Sequence, residues 1–496
     1  MQLNKFLWDI YKKSENGQQA INLFTESTTE QLLEKYLGSY KLGTQETADF
    51  IDDIAQFISS PAIPNQLSIE EAEVFFDLIA SKGFILTDED GETESYEPQT
   101  FDFLHLIPII STWLFRVYPD YFKPYFFLHR FHLLTRIADT FGIELPEVPL
   151  KRYKQKRFKY YFELCKVFMK FQVENDLTAE EFCAFIYDFA PNYLVQEDTH
   201  EKQELPQPTQ VWMIGGNKGG SDFEFLDRPT NETTAFWQGN EDTKRGDILV
   251  MYCLAPRSYI HSVWRATEDG VADPFFHYYS SINIGRGQKI TTISLNELKA
   301  DTYYSQNPLV RSNFQGVSGY QLSSEDYKRL QLMILEKDSA VLNLPQLYSH
   351  AFDLNKNLAN EREVETALIE PLLFKLGYKS EDWVRQLTVR MGRGERNFPD
   401  YAFLIDKTKS YEKSLMLIES KYWIKNNRQL EETFKQVWSY GQRLSANTLV
   451  IADKDAIWIY QKIKDSFDRT KYIKKYWKEL ENPDNFTLLS RLIGKK

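Results

Sequence analysis

Cysteine is scarce in this sequence: three in 496 residues, Cys165, Cys183 and Cys253, far apart and odd in number. That excludes a disulfide framework and a cysteine-built zinc site, and it suits a reducing compartment. No apolar run is long enough to span a bilayer. The strongest, FLHLIPIISTWLF (103–115), contains His105 and Pro108 and reads as a buried helix. The first residues, MQLNKFLWDIYKKSENG, hold no apolar signal core, so the expected location is the cytoplasm, away from the membrane. A phosphate-binding GKS or GKT loop is missing too, which leaves the chain without an ATP motor of its own.

What is present is the composition of a folded chain. A hydrophobic fraction of 42% with 15% aromatic residues argues for packed cores, and the length suggests about three domains at ~150 residues each. The net charge of -12 is unevenly spread. Residues 351–496 carry 27 Lys and Arg against 21 Asp and Glu, a net of +6, which leaves -18 for the rest. A basic carboxy-terminal third on an acidic chain is compatible with phosphate contacts there.

Along the chain the hydrophobic period changes twice. Residues 1–195 read as helical, with apolar spacings of three and four in TEQLLEKYL, EEAEVFFDLIASKGF and AEEFCAFIYDF. Within them KRYKQKRFKYYFELC (151–165) begins with six basic residues in ten. It reads as a solvated helix face leading into a buried one, in preference to a grip on phosphates and bases. A polar, proline-bearing linker spans 196–210. Short β-rich runs follow over 211–338: VWMIGG, GDILVMYCL, SYIHSVWRA and KITTISL. From 339 to 496 a helix, three strands, a helix and a strand pair predict an α/β core, making the whole a multidomain α+β chain.

In that last region LMLIESKYW (415–423) is a core-like strand that takes up two charges. Residues i and i+2 of a strand share a face, so Glu419 and Lys421 project together while Ser420 faces away. Burying them demands a partner, either a salt bridge within the strand or a metal. Upstream, Pro399 and Asp400 open another apolar strand, and a polar hairpin between the two strands would bring Asp400 to Glu419. Two converging carboxylates suit a hard divalent cation such as Mg2+, with Mn2+ as a substitute. Lys421 would then orient water and offset charge in a transition state.

These residues resemble the PD-(D/E)xK nuclease signature: Pro399-Asp400, then Glu419-Ser420-Lys421. The preceding helix NEREVETALIEPLLFKLGY (360–378) is similar to the first helix of restriction-type members, above all the nuclease region of type I restriction motor subunits. The resemblance implies a restriction-endonuclease-like fold and an acidic metal residue on that helix, at Glu361, with Glu365 one turn later as the fallback. Gln436 and Tyr440 in FKQVWSYGQRL match the QxxxY element of the type I and RecB-like branches, which touches DNA phosphate or supports the active site. Arg390, Arg393 and Arg396, just before Asp400, are either phosphate contacts or a charged hairpin.

The middle region resembles the PUA-like superfamily, nearest its EVE and YTH branch, in an aromatic residue before GN, an RGD entering a strand that ends in Tyr252, and a strand around Trp264. This resemblance implies a β-barrel that reads flipped, modified bases. Trp237 is the stacking candidate, with Trp212, Asn217 and Ser221 completing the pocket; Tyr252 and Trp264 read as barrel core.

Taken together, the expectation is a metal-dependent DNA endonuclease. It resembles type IV restriction systems, which cut foreign DNA carrying modified bases in a prokaryotic cytoplasm. One centre cuts one strand, so a homodimer is expected, assembled through the aromatic amino-terminal helices. The rivals are an RNA-directed nuclease and a non-catalytic nucleic-acid-binding module.

Overall fold

The structure is a computed structural model that describes residues 3–37, 84–87, 93–96, 104, 107–198, 204–217, 222–228, 234–338, 343–352, 354, 358–387, 389–390, 396–397, 399–403, 405, 413–464 and 466–495. It mixes helices with two large sheets. Contacts group the chain into two compact units, one of Met1–Pro206, Met213–Ala300 and Ser305–Tyr320, the other of Gln207–Trp212, Asp301–Tyr304 and Gln321–Lys496. Among the described residues no helix is long and apolar enough to cross a membrane.

The first unit opens with helices whose starts are set by polar caps. Asn4 accepts from the backbone N–H groups of Phe6 and Leu7 to begin Lys5–Lys13, and Ser14 ends that helix and caps Glu15–Glu26. Thr178 and Glu181 form a reciprocal capping box before Ala179–Ala184, which continues through a π-turn, Phe185–Phe189, into Ala190–Asp198. Helices Thr29–Leu37, Ile107–Val117, Phe131–Phe141 and Lys154–Glu174 complete the layer. Their apolar faces close on a core rich in phenylalanine and tyrosine. The described part of the run at 103–115 is buried as expected, through Ile109, Ile110, Leu114 and Phe115. The helix expected over 70–84 lies outside the described residues, save Phe84. This residue starts β1 (Phe84–Thr87), which pairs with β2 (Thr93–Tyr96) in a short hairpin that the helical period did not announce.

The basic run at 151–165 divides its side chains. Lys151, Arg152 and Lys156 are exposed, whereas Arg157 is buried and donates to the carbonyls of Pro274 and Phe276 at 2.9 and 2.6 Å. One member of the supposedly solvated face therefore points inward, to hold a loop of the neighbouring sheet.

That sheet has seven strands: β3 (Val211–Gly216), β4 (Thr234–Gln238), β5 (Ile248–Cys253), β6 (Tyr259–Ala266), β7 (Val271–Ala272), β8 (Ser280–Ser294) and β9 (Tyr320–Leu322). The order is β4-β8-β6-β5-β3-β9, with β7 beside β8. Register shifts between β5 and β6 and between β6 and β8 are the bulges that let a long strand such as β8 curl.

The second sheet is built from β10 (Trp383–Arg385), β13 (Tyr401–Phe403), β14 (Met416–Ser420), β15 (Thr448–Ala452), β16 (Ala456–Gln461) and β17 (Ile473–Tyr476), in the order β10-β13-β14-β15-β16-β17. The short β11 (Val389–Arg390) and β12 (Arg396–Asn397) pair with each other. All neighbours in the main sheet are antiparallel except β14 and β15, which are parallel and joined by the crossover helix Asn427–Arg443. Even positions of β14 (Met416, Ile418) pack with Leu368, Leu372 and Phe486 on one face; Leu417 packs with Val437 and Tyr440 on the other. Helices thus cover both faces, which is why β14 and β15 are buried along their whole length.

Candidate metal centre

Strand register sets the centre. Tyr401 of β13 pairs with Ile418 of β14, so Asp400, one residue earlier, comes level with Glu419 and Ser420. Its Oδ2 accepts two hydrogen bonds from Ser420, at 2.7 Å from the backbone N–H and 2.9 Å from the hydroxyl.

A helix brings the remaining acids. Asn360 accepts from the Glu363 N–H and so starts the helix at Glu361. The helix passes through a π-turn, Glu365–Ile369, before resuming as Glu370–Lys375, and such turns are frequent at functional sites. Glu361, Glu365 and Asp400 each offer an oxygen within 4.8 Å of the others. The Ser420 hydroxyl lies 2.9 Å from Glu365 Oε1 and 3.5 Å from Glu361 Oε1 as well as bonding Asp400. A hydroxyl carries one proton to donate, so it serves one of these oxygens at a time. Ser420, expected to face away from the chemistry, is instead the hub of the acidic group.

Glu419 is not one of that trio; it leaves β14 on the Leu417 side, level with Asp400 and close enough to feel its charge. Its side chain is 2% exposed, Lys421 Nζ donates to its Oε1 at 2.8 Å, and Oε2 is buried without a hydrogen-bond partner. Lys421 also donates to the Ser420 carbonyl at 2.7 Å and stands 4.0 Å from Glu361 Oε2, so its ammonium links the two faces. Leu417 shares the face of Glu419, as the two-residue period requires.

Electrostatics follow from this crowding. Burial pushes the Glu419 carboxyl up to about 7, with the charge of Asp400 adding to the rise. Burial also raises Glu361 and Asp400; Lys421 opposes the first, and the Ser420 hydrogen bonds the second. At Lys421 burial works against the charge, but Glu419, Glu361 and Asp400 outweigh it and raise the ammonium pKa. Glu365 has cations of its own: Arg385 makes a short contact with Oε2, and Arg362 lies 3.2 Å from the same oxygen. Neither arginine was picked out from sequence. Three raised carboxyls around one ammonium, with a buried oxygen unpartnered, fit a divalent cation, because the added charge relieves the repulsion and fills the vacant acceptor.

On the crossover helix Gln436 donates to the Tyr440 hydroxyl at 3.2 Å, across one turn. Burial raises the Tyr440 pKa, and the negative charges of Glu419 and Asp400 add to it, which puts this hydroxyl within reach of the centre's field. Arg390 and Arg396 face each other in the β11–β12 register; Arg393 is outside the described residues.

In the middle sheet both indoles expected in the base pocket, Trp237 for stacking and Trp212 to complete it, belong to the core. Trp237 is buried beside Phe225, and its Nε1–H donates to the Gly215 carbonyl at 2.8 Å. Trp212 is buried in β3 with the Arg491 guanidinium 5.6 Å from its ring. An enclosed indole has no open face for a base. Asn217 is exposed, with its backbone N–H on Asp222, and Ser221 lies outside the described residues. Trp264 is core, as expected. Tyr252 is buried and stacked on Phe314 at 3.7 Å, and the two rings border a cavity of about 590 Å³ that also meets Gln238, Ser258, Tyr278 and Ser318. Among the described residues no charged side chain lines it. The sequence signal for this cavity was faint, since the loop at 313–318 that closes it has no regular period.

No protein-family profile matches the chain, and no curated protein matches it. The solved NMR structure of Rpa0253 from Rhodopseudomonas palustris aligns with 27% of this chain and 96% of its own, at 13% identity and a TM-score of 0.23. That likeness is too slight to carry an argument about fold or activity.

Proposed function

We propose that the chain is a Mg2+-dependent phosphodiesterase, a DNA endonuclease of the PD-(D/E)xK kind. The observation that carries this reading is the convergence of Glu361 and Asp400, with Glu365 behind them, beside the Glu419–Lys421 pair at one end of β13 and β14. Glu361, Asp400 and Glu419 are the residues to hold the ion, and Glu365, already neutralised by Arg385 and Arg362, supports them. When bound, such an ion supplies Lewis acidity to a phosphodiester. The Ser420 N–H and hydroxyl fix the Asp400 carboxylate. Lys421 uses two of its three protons on Glu419 and the Ser420 carbonyl, leaving one for a phosphate oxygen. Its raised pKa makes it a fixed positive charge rather than a base, suited to stabilising negative charge as it develops.

Reading of modified bases moves in this proposal from Trp237 and Trp212 to the cavity beside Tyr252 and Phe314. An uncharged lining of aromatic rings, amides and hydroxyls suits a neutral planar base. With one centre per chain, cutting both strands requires two copies. The test incubates wild type and Asp400→Ala with Mg2+ and DNAs bearing unmodified, methylated or hydroxymethylated cytosine, alongside RNA. The expected result is cleavage of modified DNA by wild type, with a loss of at least about a hundredfold in the variant, the scale of removing one electrostatic catalytic group. Equal cleavage by both proteins would refute the assigned centre.

A further inference from the structure

Beside the candidate centre stands an aromatic platform that metal chemistry leaves unused. The chain leaves β14 after Ser420 and, two residues beyond Lys421, presents Trp423, whose surface is 42% exposed. The segment that carries it is tightly held. Lys421 N–H donates to the Ala452 carbonyl at 2.9 Å, Lys454 N–H to the Tyr422 carbonyl at 3.2 Å, and Ile424 N–H to Asp453 Oδ2 at 2.7 Å. The Tyr422 hydroxyl donates to the Leu358 carbonyl at 3.0 Å, two residues before the cap of the helix that bears Glu361. An exposed indole is thus fixed next to both Lys421 and the start of the acidic helix.

Two cations attend it. Lys454 Nζ lies 4.3 Å and Lys425 Nζ 4.8 Å from the indole centroid, and Lys454 is also 5.2 Å from the Tyr422 ring. Among the described residues neither lysine has an ion-pair partner. Cation–π contacts are weak at exposed sites, so the ammonium groups exchange readily for another flat partner. A broad π-face flanked by two positive charges suits a nucleotide, which brings a planar base and an anionic phosphate.

We infer that Trp423, Lys425 and Lys454 receive an unpaired nucleotide next to the scissile phosphate, its base on the indole and its phosphates on the two ammonium groups. This rests on the nuclease reading above. Stacking requires a base out of the duplex, so the site favours flipped, frayed or single-stranded positions.

The test measures binding by the full chain in metal-free buffer to a fluorescent duplex with an unpaired thymidine tail, to the same duplex blunt-ended, and to a uridine-tailed RNA counterpart. Trp423→Ala should weaken binding to the tailed probes about tenfold to a hundredfold, with a much smaller effect on the blunt duplex, and Trp423→Phe should recover most of the loss. The double variant Lys425→Gln/Lys454→Gln should reduce the slope of log affinity against log salt by about 1.4, two phosphates' worth. A greater effect on either the DNA or the RNA tail assigns the sugar that is preferred and upholds the site. Unchanged affinity of Trp423→Ala for both tails, or an equal loss on tailed and blunt probes, overturns the inference. If Trp423→Ala fails to fold, the lysine variant decides, and an unchanged salt slope overturns the inference by itself. Wild type that binds tails through Trp423 yet cuts nothing with Mg2+ refutes the nuclease reading alone; active wild type with an indifferent Trp423→Ala refutes this inference alone.

Discussion

Buried on one face of β14, Glu419 takes a hydrogen bond from Lys421 at 2.8 Å on one oxygen and leaves the other unpartnered, and both residues were readable from the strand's two-faced alternation. Ser420 was not, since its importance comes from a helix that sequence spacing could not place above it: Glu361 and Glu365 approach its hydroxyl from about 55 to 60 positions upstream. Arg385 was invisible for the same reason, because its contact with Glu365 depends on β10 lying at the edge beside β13. The buried, unpartnered Glu419 Oε2 gives a residue-scale prediction. Glu419→Gln removes a charge that burial and Asp400 disfavour, so without metal the variant should melt higher than wild type by a few degrees, a gain of about 1 kcal/mol or more. The same variant should lose Mg2+-dependent cleavage and the rise in melting temperature that Mg2+ is expected to give wild type. A lower melting temperature in metal-free buffer would show that the Lys421 ion pair, and not relief of repulsion, dominates at this position.

Among the elements, long periodic segments were legible and short ones were not. β5, β6, β14 and the crossover helix Asn427–Arg443 fall where their apolar periods put them. The π-turn at Glu365–Ile369 and the β1–β2 hairpin left no trace, as a one-residue insertion and a four-residue strand alter the period too little. The crossover helix is held close to the sheet by Gly441, where an added Cβ would come within 2.6 Å of Leu449 Cδ2 in the buried layer. Gly441→Val should therefore destabilise the fold by roughly 2 kcal/mol through overpacking. Because the same helix carries Gln436 and Tyr440, cleavage should fall further than stability explains when measured well below the melting temperature; activity unchanged under those conditions would separate the helix position from catalysis.

At the scale of the molecule, three segments could be read from changes of period and charge, but their grouping could not. The helical layer and most of the middle sheet form one contact unit, and Arg157 and Asp273 explain part of it. Phe275 enters the helical core against Tyr125 at 4.6 Å, while Arg157 holds the carbonyls on either side. Asp273 beside this plug is fully buried with Oδ2 unpartnered, and burial pushes its carboxyl up to about 7, against the pull of the Phe275 and Phe276 N–H groups and Arg157. Raised above the usual carboxyl value, the folded state holds this proton more tightly than the unfolded chain. Its contribution is intact below about pH 4 and is lost as pH rises toward about 7. The drop in melting temperature between pH 5 and 8 should shrink in Asp273→Asn, and an identical profile in the variant would rule out Asp273 as its source.

The six-stranded sheet ends on β10, three residues long, and on β17, which reads Ile-Lys-Lys-Tyr. Short or lysine-bearing borders are poor templates for another chain's strand, and they guard a sheet against runaway accretion into fibres. If two copies meet on one duplex, as the proposed function requires, these borders steer them away from joining sheets end to end and toward a finite, reversible pairing.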